Sequence, residues 1–192
     1  MRLVVIDHED SFVYNLVQGL ARPGVEVRCL RYTVGLAAVR RFRPQAIVLS
    51  PGPGHPRDAT ITGLAHEILD TLSPEVPTLG VCLGHQVIGD HFGGRVGRGV
   101  PVHGQTAPVR HGPDPIFAGV PNPFAAARYH SLVVRAEDFP ASLRVTARSR
   151  DGTIMGVRHR SAPIVGLQFH PESFLTQGGS RMLDNFLAEA RA

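Results

Sequence analysis

The chain alternates short apolar runs with segments whose apolar residues recur every three or four positions. Arg2-Leu3-Val4-Val5-Ile6-Asp7 is the first run, and its unbroken hydrophobicity predicts a strand buried on both faces. Asp10 or Ser11 stands where it can cap a helix with Phe12, Leu16, Val17 and Leu20 on its apolar face, stopped by Pro23-Gly24. Val25 to Leu30 predicts a second strand, and Leu36 to Phe42 a short helix ended by Pro44. Ala46 to Ser50 is a third buried strand, running through Pro51-Gly52-Pro53-Gly54 toward a helix near Ile61 to Leu72. Pro77 to Cys82 is a fourth, and the helix after it ends at Gly93-Gly94. Strands alternating with helices across short Gly/Pro loops predict an α/β fold, a doubly wound, mainly parallel sheet. Ligands of such sheets sit at the carboxyl ends of the strands.

The second half has a different texture. Val96 to Val109 is rich in Gly and Pro, and Asp114 to Pro123 reads as a loop with one helical turn. Ala125 to Tyr129, Leu143 to Arg148 and Ile154 to His159 predict strands, with Asp151-Gly152 as a hairpin turn between the last two. Ile164 to Phe169 is another strand, and the final helix carries Met182, Leu183, Phe186, Leu187 and Ala190 on one face. No repeat or linker interrupts residues 1–192, so a single domain is expected.

Composition narrows the function classes. No apolar run reaches membrane length and no signal-peptide layout opens the chain, so a cytoplasmic protein is expected. All 20 basic residues are arginine, which excludes a Schiff-base lysine and a Walker-A lysine. The arginines are dispersed, so neither nucleic acid nor a membrane is an expected partner. Two cysteines, Cys29 and Cys82, are too few for a disulfide framework and lack zinc-ligand spacing. No metal and no cofactor are expected. Cys29 lies in an alternating segment and reads as packing.

Cys82 is different. Gly80-Val81-Cys82-Leu83-Gly84-His85-Gln86 places it where a buried strand turns sharply into a helix, with glycines on either side to make room for that turn. A helix N-terminus favours thiolate over thiol. Such a nucleophile needs a base, and the base needs an orienting group. The strand Ile164 to Phe169 ends in His170-Pro171-Glu172; residues two apart in extended chain project to one side, so Glu172 can hold the His170 ring. Attack on a carbonyl also needs N–H donors for the oxyanion, for which Leu83 and Gly54 are the candidates. His103 and His130 are plausible pocket-wall residues without assigned chemistry.

Together with Ser50-Pro51-Gly52-Pro53-Gly54, Arg128-Tyr129-His130-Ser131-Leu132 and Gln168-Phe169-His170-Pro171-Glu172-Ser173, this elbow resembles the class I, triad-type glutamine amidotransferases. Asp10-Ser11-Phe12 with Tyr14-Asn15-Leu16 narrows the resemblance to the glutaminase components of anthranilate synthase and aminodeoxychorismate synthase. The resemblance implies a flavodoxin-like sheet with an antiparallel addition from the second half. It implies Cys82 as nucleophile toward L-glutamine, with His170 and Glu172 completing a triad. Gly52, Pro53, Gly54, Gln86, Ser131 and Leu132 would hold the glutamine, and ammonia would pass to a chorismate-binding synthase subunit. The chain departs from the family at His8 and Glu9, where Asn-Tyr is frequent, and at Gln105, where His103-Gly104 is usually followed by lysine.

Overall fold

The computed structural model describes residues 1–99 and 104–192. The first half runs β1 (Arg2–Asp7), α1 (Val13–Leu20), β2 (Glu26–Arg31), α2 (Leu36–Phe42), β3 (Ala46–Leu49), α3 (Ala59–Thr71), β4 (Thr78–Val81) and α4 (Leu83–His91). The second half adds β5 (Val96–Arg98), β6 (Gln105–His111), a 3-10 turn at Pro115–Phe117, β7 (Phe124–Arg128), β8 (Leu132–Val134), β9 (Leu143–Ser149), β10 (Ile154–His159), β11 (Ile164–Leu167) and α5 (Gly179–Glu189).

Among the described residues, a nine-stranded sheet has the order β2-β1-β3-β4-β11-β10-β9-β6-β7. Its first five strands are parallel and its last four extend it in antiparallel fashion. Strand β1 shows why. Leu3 and Val5 share a core with Val13, Leu16 and Leu20 of α1 and with the apolar face of α5. Val4 and Ile6 point the other way, into a core built with α2, α3 and α4. A strand covered on both faces must be apolar at every position, which is what its sequence shows. Side chains alternate across a strand, so one run feeds two cores.

Because β1, β3, β4 and β11 are parallel, their carboxyl ends share one edge of the sheet. Val81 of β4 pairs with Leu167 of β11, and the Cys82 N–H donates to the Leu167 carbonyl at 2.8 Å. The residues following each strand, Cys82 and Gln168, are thereby brought side by side.

Three expectations need correction. Neither Asp10 nor Ser11 caps α1: Phe12 occupies that position without a side-chain cap, and the Asp10 carboxylate accepts the Phe12 N–H at 2.9 Å in the preceding turn. The inward stripe is Val13, Leu16 and Leu20, which leaves Phe12 57% exposed rather than in the core. Val96 to Val109 contains strand β5 and most of β6, which its Gly/Pro content concealed, and three-residue β8 pairs with β5 in a separate two-stranded sheet. The Asp151-Gly152 turn lies between β9 and β10 as expected, with Gly152 at φ 84°.

Candidate active site

Cys82 stands at the N-terminal end of α4 with φ 51° and ψ −98°, a positive-φ conformation that a side chain adopts only under constraint. The constraint is packing. A Cβ on Gly84 would collide with the Leu49 carbonyl at the end of β3, so only glycine lets α4 begin this close to the sheet. The turn aims the sulfur outward from the strand end while the residue stays 8% exposed.

His170 arrives from the neighbouring strand end. Its backbone is pinned twice: its N–H donates to the Ala127 carbonyl at 3.3 Å, and the Thr176 hydroxyl donates to its carbonyl at 2.6 Å. Its Nδ1 lies 2.6 Å from Glu172 Oε1, the pairing that the two-residue spacing anticipated. The Glu172 side chain is buried, so this contact is shielded from water. The Tyr129 ring stands edge-on against the imidazole, with centroids 5.2 Å apart. Nε2, the atom left to face a reactant, is buried and has no hydrogen-bond partner among the described residues. Burial pushes His170 down, but Cys82 and Glu172 act against it more strongly and raise it well above the ordinary imidazole value. The ring is therefore held as imidazolium at neutral pH, beside sulfur on one side and carboxylate on the other.

The remaining predicted residues fall around this centre. Gly52 packs so tightly against the His8 backbone and the Leu83 side chain that a Cβ there would collide with the His8 carbonyl. Pro53 and Gly54 continue the same loop, with Gly54 at φ 94°. Gln86, buried in the first turn of α4, donates from Nε2 to the Leu132 carbonyl at 2.9 Å and to Gln168 Oε1 at 3.3 Å. Both hydrogens are thus used, and Oε1 is its remaining polar atom. Ser131 is exposed, and its carbonyl accepts the Gly99 N–H at 2.8 Å. A cavity of about 130 Å³ opens beside the imidazole, lined by Phe12, Asn15, Tyr129, His170, Glu172 and Phe174, with Ser173 at its edge. The larger clefts elsewhere on the surface, such as that around Arg110, Arg148 and Arg150, have no cysteine in their lining.

The departures from the family pattern also find places. His8 is fully buried; its N–H donates to Ser50 Oγ at 2.9 Å, and its Nδ1 lies 3.2 Å from the Ser50 carbonyl, so it braces the start of the Pro51–Gly54 loop. Burial pushes it down to about 4, so it braces as a neutral ring. Glu9, at φ 64°, pairs with Arg31 at 3.0 Å. Gln105 is exposed on β6, paired in register with Arg128. His103 lies outside the described residues.

Sequence reasoning passed over two neighbours. The first is Gln168, whose Nε2 lies 3.8 Å from Cys82 Sγ. It precedes His170 by two, so the same spacing rule that joined His170 to Glu172 pointed to it. The second is the set of contacts flanking Tyr129 in sequence, around His130, which the sequence had left without chemistry. Arg128 donates from Nε to His130 Nε2 at 3.2 Å and from Nη1 to Asp151 at 3.1 Å, while His130 Nδ1 lies 3.2 Å from the Leu132 carbonyl. Burial first, then the Arg128 charge, push His130 down to about 4, so it acts as a neutral strut under Leu132 rather than as a base.

A family description of class-I glutamine amidotransferases matches residues 4–190. Anthranilate synthase component 2 of Halobacterium salinarum is 48% identical over 199 residues, covering 100% of both chains. That of Pseudomonas aeruginosa is 45% identical over 97% of this chain and 95% of its own. The bifunctional protein TrpGD of Thermotoga maritima is 46% identical over 97% of this chain, which spans 32% of that longer protein. A crystal structure from Thermoplasma acidophilum, described as part of a GMP synthase, superposes with a TM-score of 0.89 at 23% identity, covering 100% of this chain and 94% of the other, a likeness of fold.

Proposed function

The chain belongs to the class I glutamine amidotransferases, and from that premise we propose that it is the glutaminase subunit of an anthranilate synthase, with Cys82, His170 and Glu172 as its triad. Relatives bearing that name at 45–48% identity over nearly the whole chain support the anthranilate branch over the aminodeoxychorismate branch. We take residues 1–192 as one amidotransferase domain.

The chemistry follows from the charges. The Cys82 sulfur attacks the side-chain carbonyl carbon of L-glutamine, and the oxygen takes the negative charge, facing the N–H groups of Leu83 and Gly54. The C–N bond breaks as the His170 imidazolium gives its proton to the nitrogen, and ammonia leaves. The product on the enzyme is a γ-glutamyl thioester. His170, now neutral, takes a proton from water; the hydroxide displaces sulfur, and glutamate departs with the enzyme restored. Glu172 stabilises each imidazolium stage. Gln86 Oε1 and the Ser131–Leu132 backbone receive the polar end of the substrate, with Gly52 and Pro53 forming the opposite wall.

Ammonia released to water would protonate and cease to be a nucleophile. The partner is therefore a chorismate-binding synthase subunit that consumes ammonia directly, docked over the opening beside His170. That rim carries the exposed Phe12 and Phe174, the latter 94% exposed, and Tyr14, two residues after Phe12 in the chain, is exposed as well.

The observation that carries this reading is the His170–Glu172 contact at 2.6 Å with Nε2 left free on the Cys82 side. Cys82→Ser tests it. Glutamine-dependent anthranilate formation, assayed with the synthase subunit, should fall on the order of 10⁴-fold or more. Formation from ammonium salts by the same complex should be unchanged. Glutamine turnover at the wild-type rate would refute the assignment.

A further inference from the structure

The amide of Gln168 has a direction that its surroundings fix. A backbone carbonyl can only accept, so the group of Gln86 that meets the Leu132 carbonyl must be its NH₂. The same NH₂ then faces Gln168, which must answer with Oε1, at 3.3 Å. That leaves the Gln168 NH₂ toward Cys82 Sγ, at 3.8 Å. Both amides are buried, Gln168 completely. A donor placed on sulfur in this way interacts about twice as strongly with thiolate as with thiol.

Resting on the reading of Cys82 as nucleophile, we propose that Gln168 is a positioning residue: it donates an N–H to the Cys82 sulfur and holds that sulfur in line with Gln86, the residue that meets the substrate. The register of β4 against β11 sets the two side by side, since Val81 pairs with Leu167 and the next residue of each strand is the one in question. The role is distinct from that of His170. His170 transfers protons, whereas an amide N–H stays on its nitrogen throughout. When sulfur becomes a thioester it loses its charge and the donor loses most of its hold, so Gln168 favours the state that is ready to attack. A substrate group drawn to Gln86 Oε1 polarises the NH₂ of the same amide, and so tightens the path from substrate to sulfur.

The charged and titratable groups around Cys82 and its base come from four directions. His170 and Glu172 follow β11, Asp10 lies in the β1–α1 turn, Arg128 and His130 lie in the β7–β8 segment, and His85 is on α4. None of them is altered by substitution at 168. The measurement is therefore the rate of Cys82 alkylation by iodoacetamide against pH, on the whole chain, in wild type, Gln168→Met and Gln168→Glu. Met keeps the volume and removes the donor; Glu keeps the shape and turns an acceptor toward sulfur. The pH of half-maximal alkylation should rise by about one unit in the first and further in the second. A merely structural role would lower the rate equally at every pH, or make the two variants alike, and either result overturns the proposal. The wild-type protein gives a second reading that needs no folded variant. The Gln168 side-chain amide resonance in ¹⁵N-glutamine-labelled protein should move as Cys82 ionises and stay still in Cys82→Ala. An amide that ignores the ionisation overturns it as well. Protection of Cys82 from alkylation by glutamine checks the underlying assignment separately: without protection the nucleophile reading fails, whereas protection with coincident pH curves refutes only the role of Gln168.

Discussion

At the scale of residues, the site depends on one imidazole held against its normal preference. Burial alone would keep His170 neutral, but Cys82 and Glu172 keep the proton on. The sign of the pH dependence follows. Because its value is raised on folding, the stability it contributes is complete below the ordinary imidazole range and is lost as pH climbs through the raised value. In the proposed mechanism, activity needs the same proton for the leaving ammonia. Wild-type kcat/KM should therefore hold well above neutrality before falling on the alkaline side. Glu172→Gln removes one of the two groups that hold the proton, so the alkaline limb should shift to lower pH and turnover should drop roughly 10²–10⁴-fold. A pH–rate profile of the reconstituted complex checks both. An unmoved limb with wild-type turnover would mean that Glu172 does not govern the ring.

At the scale of elements, the antiparallel strands β9 and β10 are tied to the 3-10 turn and to α5 by a charge cluster centred on a buried carboxylate. The Asp114 carboxylate, 0% exposed, receives Arg144 at 2.5 Å and Arg158 at 2.7 Å, and Arg158 reaches Glu189 of α5 at 2.9 Å. Asp114 also accepts the Ile116 N–H at 3.1 Å, fixing the 3-10 turn. Asp114→Ala leaves the partly exposed Arg144 without its partner, while Arg158 keeps Glu189, and it removes the acceptor for the Ile116 N–H; it should cost about 1–3 kcal/mol of folding free energy, read from urea melts. Little of this cluster was legible in advance, because its members lie far apart in sequence and pattern reasoning sees only neighbours. What was legible has a physical reason too. The interior of β1 and all of β3 are apolar because both faces are covered, and α2 reads as far as Phe42 because Pro44 marks its end. Strand β6 hid because it is mostly exposed and includes Pro108, and α1 begins later than its pattern suggests because Phe12 fits a helical period yet points outward. The placement of Cys82 at a turn and of Glu172 against His170 was readable because each lies at or just past a strand end, where a short local motif fixes direction. Gln168 meets Cys82 across 86 positions of sequence; its spacing from His170 hinted at the site, but the β4–β11 register is what sets it against the sulfur.

At the scale of the molecule, the parallel sheet gathers its strand ends at one edge, and the chemistry, the cavity and an exposed aromatic rim all lie there. Among the described residues, the other large hydrophobic side chains are at least partly covered, yet Phe12, Tyr14 and Phe174 stand 57%, 68% and 94% exposed. Leaving three aromatic rings in water has a cost that a docked surface removes, since aromatic anchors dominate most interfaces. The opening beside His170 then faces the partner instead of solvent, which is what an ammonia intermediate requires. Tyr14→Ala and Phe174→Ala should each weaken association with the synthase subunit by about 10–30-fold, corresponding to roughly 1.4–2 kcal/mol. Tyr14 lies outside the cavity lining, so its replacement should leave glutamine-protected alkylation of Cys82 in the isolated subunit unchanged. Titration calorimetry with the synthase subunit, paired with anthranilate formation from glutamine and from ammonium at fixed protein concentrations, measures the effect. The glutamine-dependent rate should fall with the bound fraction while the ammonium-dependent rate holds. Equal affinity in all three proteins would place the synthase on another face of the sheet, and ammonia would then have to travel through solvent.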